Sequence, residues 1–76
     1  MEKLYEMLND LRPEFDFHQS DNYIEDGYLD SFDIVALITE IESNFEIKID
    51  GLDIIPDNFI SHEAIVNLII KSGGTL

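Results

Sequence analysis

The feature that most constrains the fold is an apolar stripe in the middle of the chain. Apolar residues recur there at i, i+3, i+4, i+7 and i+11, which is the spacing of one face of an α-helix. They are Ile34, Leu37, Ile38, Ile41 and Phe45. Such a helix is stable only when other elements cover its apolar face, and a chain of 76 residues has room for one core. The stripe therefore predicts a single helical domain over residues 1–76.

The segment before the stripe predicts a helix followed by a long loop. The helix has its own apolar face, and Pro13 bounds it downstream. That face consists of Leu4, Leu8 and Leu11, with Tyr5 and Met7 alongside. Residues 14–30 form a long connection, which in a compact domain is commonly held by its own apolar side chains. We expect these to be Phe15, Phe17, Ile24 and Leu29.

The segment after the stripe predicts one short helical turn and one more helix. The alternation at residues 47–49 resembles a strand, but it has no partner strand, so we interpret residues 46–55 as an extended loop. Residues 56–60 predict the short turn, and Ser61 can cap the last helix, which Gly73 and Gly74 end. Its apolar face is Ala64, Ile65, Leu68 and Ile69. The expected fold class is all-α: a small four-helix bundle of three main helices and one short helix, with the long loop between the first and second helices.

Charge excludes several classes of function. Seventeen acidic residues and four basic ones give a formal net charge of -13. Phosphate backbones and anionic membranes repel such a chain, whereas partners with basic patches are attracted. No apolar stretch approaches the ~20 residues that span a bilayer, and no signal peptide is evident. We therefore expect a cytoplasmic monomer that neither binds nucleic acid nor inserts into a membrane.

Metal and disulfide sites are not expected either. The chain has no cysteine, which excludes disulfides and cysteine-based zinc sites. Placing Gly27 at the sixth position of a calcium-binding EF-hand loop puts Ile24 at the third position. An isoleucine side chain cannot bind calcium, so the acidic loop does not match that motif.

A crowded helix start marks the candidate site. With Asp30 as the N-cap, Asp33 falls at N3 and forms an acidic relative of the capping box. With Ser31 as the N-cap, N3 is Ile34 and the box is lost. The sequence therefore favours Asp30 as the cap, which leaves Ser31 as a hydroxyl with no local task. Such a hydroxyl can serve as an attachment point.

Ser31 is not expected to be a catalytic nucleophile. A serine nucleophile needs a base and a group that orients the base. Neither His18 nor His62 has sequence support for such an arrangement, and no Gly-x-Ser-x-Gly motif is present. We expect the chain not to be an enzyme.

The same helix carries a second line of residues that the core stripe does not need. Phe32, Val35, Thr39 and Glu42 lie at i, i+3, i+7 and i+10. Two of them are apolar and lie among acidic residues, which is typical of a docking surface for a basic partner. The candidate docking residues are Asp30, Phe32, Asp33, Val35, Thr39 and Glu42. The alternative is that Phe32 folds back onto Tyr28 or Ile24 of the loop.

Three segments resemble one known family. Residues 26–33, Asp-Gly-Tyr-Leu-Asp-Ser-Phe-Asp, resemble the phosphopantetheine attachment site of acyl and peptidyl carrier proteins, with Phe32 in place of the usual leucine. Residues 41–47 are similar to the end of that family's second helix. Residues 56–65 are similar to its short third helix and the start of its fourth. The resemblance covers about residues 24–70.

The resemblance implies a non-catalytic carrier with a covalent cofactor. Ser31 would be esterified to 4′-phosphopantetheine, which coenzyme A donates through a magnesium-dependent phosphopantetheinyl transferase of the holo-ACP synthase type. The arm would carry acyl groups as thioesters, in fatty acid or related acyl biosynthesis, between loading and transferring enzymes with basic patches. One alternative is a D-alanyl or other aminoacyl (peptidyl) carrier of cell-envelope or secondary-metabolite pathways. Another is an unmodified acidic interaction module.

The resemblance also implies that an acyl chain could shelter between the helices. Five apolar residues are candidates to line such a space, and they serve equally well as ordinary core residues. They are Ile34, Leu37, Ile41, Ile49 and Ile65.

Overall fold

Three α-helices make up the frame of the molecule. The computed structural model describes residues 2–75. The helices are α1 (Glu2–Leu11), α2 (Ser31–Phe45) and α3 (His62–Lys71). No strand occurs within residues 2–75, so residues 47–49 lie in a loop. The prediction of an all-helical chain with three main helices is confirmed.

Three short 3₁₀ segments lie in the connections between the helices. Pro56–Phe59 stands where the sequence predicts the short helical turn. Phe17–Gln19 and Gly51–Asp53 are not predicted by the sequence. In each of these two segments, an aspartate side chain caps the turn by accepting a hydrogen bond from the backbone N–H two residues later. Asp16 accepts from His18, and Asp50 accepts from Leu52. Because so short a turn depends on local hydrogen bonds, no apolar periodicity marks it.

The core lies between the apolar faces of the three helices. Three of the five residues of the α2 stripe are buried. The other two, Ile34 and Phe45, are half-buried against the core. The connections add bulky side chains of their own. The buried apolar residues are Leu4, Met7, Leu8, Phe17, Tyr23, Leu29, Leu37, Ile38, Ile41, Ile49, Phe59, Ile65, Leu68 and Ile69.

An aromatic cluster holds the connection between α1 and α2. Phe15 stacks on Tyr28 at a centroid distance of 4.4 Å, and Phe17 meets Tyr23 edge-on at 4.9 Å. Of the four predicted anchors, Phe17 and Leu29 are buried, while Phe15 and Ile24 are half-buried against the core. Tyr23, which is not among the predicted anchors, is also buried, and its hydroxyl donates to the Phe17 carbonyl at 3.2 Å. A buried tyrosine is stable when its hydroxyl finds such a partner.

The last helix begins and ends as the sequence predicts. The Ser61 hydroxyl accepts a hydrogen bond from the Ala64 N–H at 3.1 Å. Beyond the helix end, Gly73 has a φ of 98°, in the left-handed region that glycine enters without strain. None of the helices in residues 2–75 is long and apolar enough to cross a membrane.

Candidate functional site

The start of α2 is closed by a reciprocal pair of hydrogen bonds. The Asp33 N–H donates to Asp30 Oδ1 at 3.0 Å, and the Asp30 N–H donates to Asp33 Oδ2 at 3.1 Å. Asp30 is therefore the N-cap and Asp33 the N3 residue of a capping box. Both carboxylates also lie at the positive end of the helix dipole, which stabilises negative charge. The prediction that Asp30 caps the helix is confirmed.

Ser31 is left exposed beside this box. It is the first residue of α2, and its hydroxyl forms no hydrogen bond with any residue that the structure describes. Serine hydroxyls at a helix start commonly cap the backbone, but Asp30 already does so here. The Ser31 oxygen is therefore accessible to an external reagent.

The two histidines contact the opposite faces of one tyrosine. The Tyr5 ring lies between His18, at a centroid distance of 3.8 Å, and His62, at 4.1 Å. His18 Nδ1 also lies 3.2 Å from Asp16 Oδ1. This stack joins α1, the following loop and the start of α3. Ser31 forms no hydrogen bond with either ring within residues 2–75.

Arg12 completes the site, although it is not among the site residues that the sequence predicts. Its Nε donates to Asp33 Oδ2 at 2.9 Å, its Nη2 lies 3.5 Å from Asp30 Oδ2, and its Nη1 lies 3.3 Å from Glu14 Oε2. The hydrogen bond to Asp33 is the main cause that raises the pKa of Arg12. No periodicity or motif marks an arginine that contacts residues 18 and 21 positions away. The only signal in the sequence is that basic residues are rare.

The pKa of Asp30 is lowered at this site. The main cause is the hydrogen bond that its carboxylate accepts from the Asp33 N–H, and the nearby Arg12 charge acts in the same direction. A carboxylate that accepts a backbone hydrogen bond is stabilised in its ionised form. Asp30 is exposed, so this negative charge remains available on the surface beside Ser31.

Asp33 is not an accessible acid, and the expectation that it lies on the docking surface needs correction. The residue is only 6% exposed. As the N3 residue of the box, its carboxylate turns back toward the Asp30 N–H and Arg12. A partner could reach it only by displacing these contacts.

The second line of α2 is exposed at its apolar end. Phe32 is 86% exposed and Val35 is 63% exposed, so Phe32 does not fold back onto Tyr28 or Ile24. Thr39 is exposed, and its hydroxyl donates to the Val35 carbonyl at 3.2 Å. Together with Asp30, these residues form what we call the α2 face: Asp30, Phe32, Val35 and Thr39.

Glu42 continues the same line but has a structural contact. Its Oε2 accepts a hydrogen bond from the Ile49 N–H at 2.9 Å, and the residue is half-buried. This bond ties the loop after α2 back onto the helix. A substitution of Glu42 would therefore alter the loop as well as the surface charge.

A second group of exposed apolar residues lies in the connection before α3. Leu52 is 87% exposed, and Ile54 and Ile55 are partly exposed nearby in the sequence. Lys71 Nζ donates to Asp53 Oδ1 at 2.7 Å and so ties this connection to the end of α3. This exposure is not predicted from the sequence.

The candidate acyl-lining residues lie in or against the core. Leu37, Ile41, Ile49 and Ile65 are buried, and Ile34 is half-buried. No group of three or more histidine, cysteine or acidic side chains within residues 2–75 is arranged to hold a metal ion.

Comparisons with known proteins add no further assignment. No protein-family model matches the chain, and neither a curated protein nor a solved structure matches it. The functional interpretation therefore depends on the geometry at the start of α2 and on the residues that resemble the carrier attachment site.

Proposed function

We propose that the chain is an acyl carrier protein whose Ser31 hydroxyl holds 4′-phosphopantetheine. The observation that carries this proposal is the division of tasks at the start of α2. Asp30 caps the helix, so the neighbouring Ser31 is exposed and its hydroxyl has no partner in residues 2–75. The surrounding residues 26–33 resemble the attachment site of carrier proteins.

The residues at the site fit such a group. In the transfer, Ser31 Oγ forms a bond to the phosphorus of the phosphopantetheine, the pyrophosphate bond of coenzyme A breaks, and adenosine 3′,5′-bisphosphate leaves. A magnesium-dependent phosphopantetheinyl transferase takes the hydroxyl proton. When bound, the group supplies the thiol that a chain without cysteine lacks. The chain itself acts as a carrier and not as a catalyst.

The α2 face supports docking of the enzymes that modify and use the carrier. Exposed Phe32 and Val35 provide apolar contact, and Asp30 provides a negative charge beside the attachment serine. A basic patch on a partner complements this arrangement, and the net charge of -13 steers such a partner toward the chain. Glu42 extends the acidic side of the same surface.

The proposal includes the architecture of the family. Pro56–Phe59 takes the place of the short helix in a four-helix bundle, and residues 12–30 are its long first loop. The carrier works as a cytoplasmic monomer. The cargo is an acyl group of fatty acid or related acyl biosynthesis.

An aminoacyl cargo, such as D-alanine, is the second candidate. Carriers for fatty acids usually have several consecutive acids near the end of the second helix, and Glu42 is followed here by Ser43 and Asn44. Loading of the modified chain decides between the two. An acyl-ACP synthetase should load it, and exclusive loading by an amino acid adenylating ligase would replace the first choice by the second.

Modification itself is tested by intact mass. The chain is incubated with coenzyme A, magnesium and a phosphopantetheinyl transferase, and we expect a gain of one phosphopantetheinyl group that Ser31→Ala abolishes. No gain in the folded wild-type chain would favour the third possibility, an acidic interaction module that uses the α2 face without modification.

A further inference from the structure

Arg12 connects three segments of the chain at the start of α2. Its backbone N–H donates to the Leu8 carbonyl at 2.9 Å, which continues the hydrogen bonding of α1 by one residue. Leu8 is completely buried, so this end of α1 is fixed by the core. The guanidinium reaches from there to Asp30 and Asp33 of α2 and to Glu14 of the connection.

One oxygen atom of Asp33 accepts a hydrogen bond of the capping box and also one from Arg12. Asp33 Oδ2 accepts the Asp30 N–H at 3.1 Å and the Arg12 Nε–H at 2.9 Å. In the Asp30 carboxylate, each oxygen has a different partner. Oδ1 accepts a hydrogen bond from the Asp33 N–H, and Oδ2 lies 3.5 Å from Arg12 Nη2. The planar fork of a guanidinium suits such a position between two carboxylates.

The box brings two negative charges together, and one of them is nearly buried. Like charges in contact repel, and a buried carboxylate without a cation is unfavourable. Arg12 is the cation that the structure places against both carboxylates. Without it, repulsion between Asp30 and Asp33 favours opening of the box, and the first turn of α2 loses its cap.

We propose that Arg12 is a positioning residue for the Ser31 site. It keeps the capping box closed, and the closed box fixes the helical turn that presents the Ser31 hydroxyl. The expected effect on modification rests on the proposed carrier function, whereas the expected effect on the helix start does not. Arg12 acts through Asp30 and Asp33 and forms no bond with Ser31.

The first test measures the helix start directly. In Arg12→Gln, we expect the amide of Asp33 to exchange with solvent roughly fivefold faster, the size of losing a helix cap. The Ala64 amide, which Ser61 caps in α3, is an internal control and should not change. Lys3→Gln is the matched variant, because Lys3 is exposed in α1 and the substitution changes the net charge equally. Equal Asp33 exchange in the two variants would overturn the proposal.

The second test separates positioning from docking. With a phosphopantetheinyl transferase, we expect Arg12→Gln to lower kcat, because a smaller fraction of the molecules presents Ser31 on a closed box, and to leave KM unchanged, because Phe32, Val35 and Thr39 of the α2 face are retained. Lys3→Gln should change neither constant. A higher KM at unchanged kcat would make Arg12 a docking residue and would overturn the positioning role.

Failure of the carrier function and failure of the proposed role of Arg12 give different experimental results. If the wild-type chain is not modified at all, the carrier function fails, while the exchange of the Asp33 amide still decides the role of Arg12. If Arg12→Gln does not fold, both readouts are taken on Arg12→Lys. Lysine keeps the charge but lacks the fork, so a smaller loss in the same direction is expected. No loss in that variant would show that the charge alone keeps the box closed and would contradict the role of the guanidinium fork.

Discussion

Adjacent residues at the start of α2 differ in their contacts: the Asp30 side chain caps the helix, whereas the Ser31 hydroxyl has no hydrogen bond with a described residue. Asp30 accepts the Asp33 N–H and faces Arg12, so its side chain stabilises the fold. Ser31 contributes a hydroxyl that no described residue uses. A residue that is available for covalent modification must have this freedom, because a hydroxyl committed to a cap would have to leave it first.

Paired alanine substitutions test this division. We expect Asp30→Ala to lower the free energy of unfolding as much as Ser61→Ala does, and removal of the Ser61 cap should cost about 1 kcal/mol. Ser31→Ala should change it by less than about 0.5 kcal/mol, as for an exposed site without partners. Urea denaturation of the three variants provides the comparison. A loss in Ser31→Ala equal to that in Asp30→Ala would show that the hydroxyl has a structural task.

Tyr23 predicts the response of the fold to alkaline pH. Burial, the main cause, raises its pKa from 10.0 to about 12. Because the folded state binds the phenol proton more tightly than the unfolded state, this contribution to stability is complete below pH 10 and is lost as the pH rises toward about 12. Tyr23→Phe should lose less stability over that interval than the wild type does. Urea denaturation of both proteins at each pH measures the difference, and an equal decline in the two would contradict the role of Tyr23.

The sequence predicts the residues of the site only where their contacts are local. The capping box joins Asp30 to Asp33, three positions apart, and the sequence reveals it. Arg12 meets the same box across 21 positions, which no local pattern encodes. Asp33, which the sequence predicts as a docking residue, is 6% exposed and takes part in that distant contact.

At the scale of elements, α2 has one buried face and one exposed apolar face. Its core face includes fully buried Leu37, and its opposite face exposes Phe32 and Val35. An exposed phenylalanine adds little to folding, whereas on a partner-binding surface it adds buried apolar area.

Alanine substitutions on the two faces should therefore affect different properties, one the transferase reaction and the other stability. Phe32→Ala should leave the free energy of unfolding within about 0.5 kcal/mol of the wild type and lower the kcat/KM of the transferase. Leu37→Ala should lower the free energy of unfolding by about 2–5 kcal/mol through loss of core packing. Transferase kinetics and urea denaturation measure the two effects. Unchanged kcat/KM in folded Phe32→Ala would remove Phe32 from the docking surface.

Apolar periodicity predicts the elements that bury a face, but not the short turns between them. α1, α2 and α3 each have such a face, and the sequence places all three. The turns at Phe17–Gln19 and Gly51–Asp53 depend on single aspartate caps. Similarly, the bond from the Ile49 N–H to Glu42 shapes the loop after α2 without any regular pattern.

At the scale of the whole molecule, negative charge opposes compaction. The chain has a net charge of -13, and the radius of gyration of the folded molecule is 11.2 Å. The Debye length is about 10 Å at 0.1 M salt, so added salt screens repulsion across much of the molecule. Repulsion raises the free energy of the folded state more than that of the expanded unfolded chain.

We therefore expect the melting temperature to rise with salt or magnesium. A variant in which exposed Glu6, Glu25 and Glu40 are replaced by glutamine should show a smaller rise, since less repulsion remains to be screened. Calorimetry from low salt to about 0.15 M measures both responses. A wild-type melting temperature that does not change with salt or magnesium would contradict the electrostatic explanation.

Covalent modification of Ser31 is tested most directly by intact mass after incubation with coenzyme A, magnesium and a phosphopantetheinyl transferase. Ser43 is the matched control, because it is an exposed serine in the same helix. The wild type and Ser43→Ala should each gain one phosphopantetheinyl group, and folded Ser31→Ala should gain none. No gain in the wild type, or an equal gain in Ser31→Ala, would contradict the assignment of Ser31 as the attachment site.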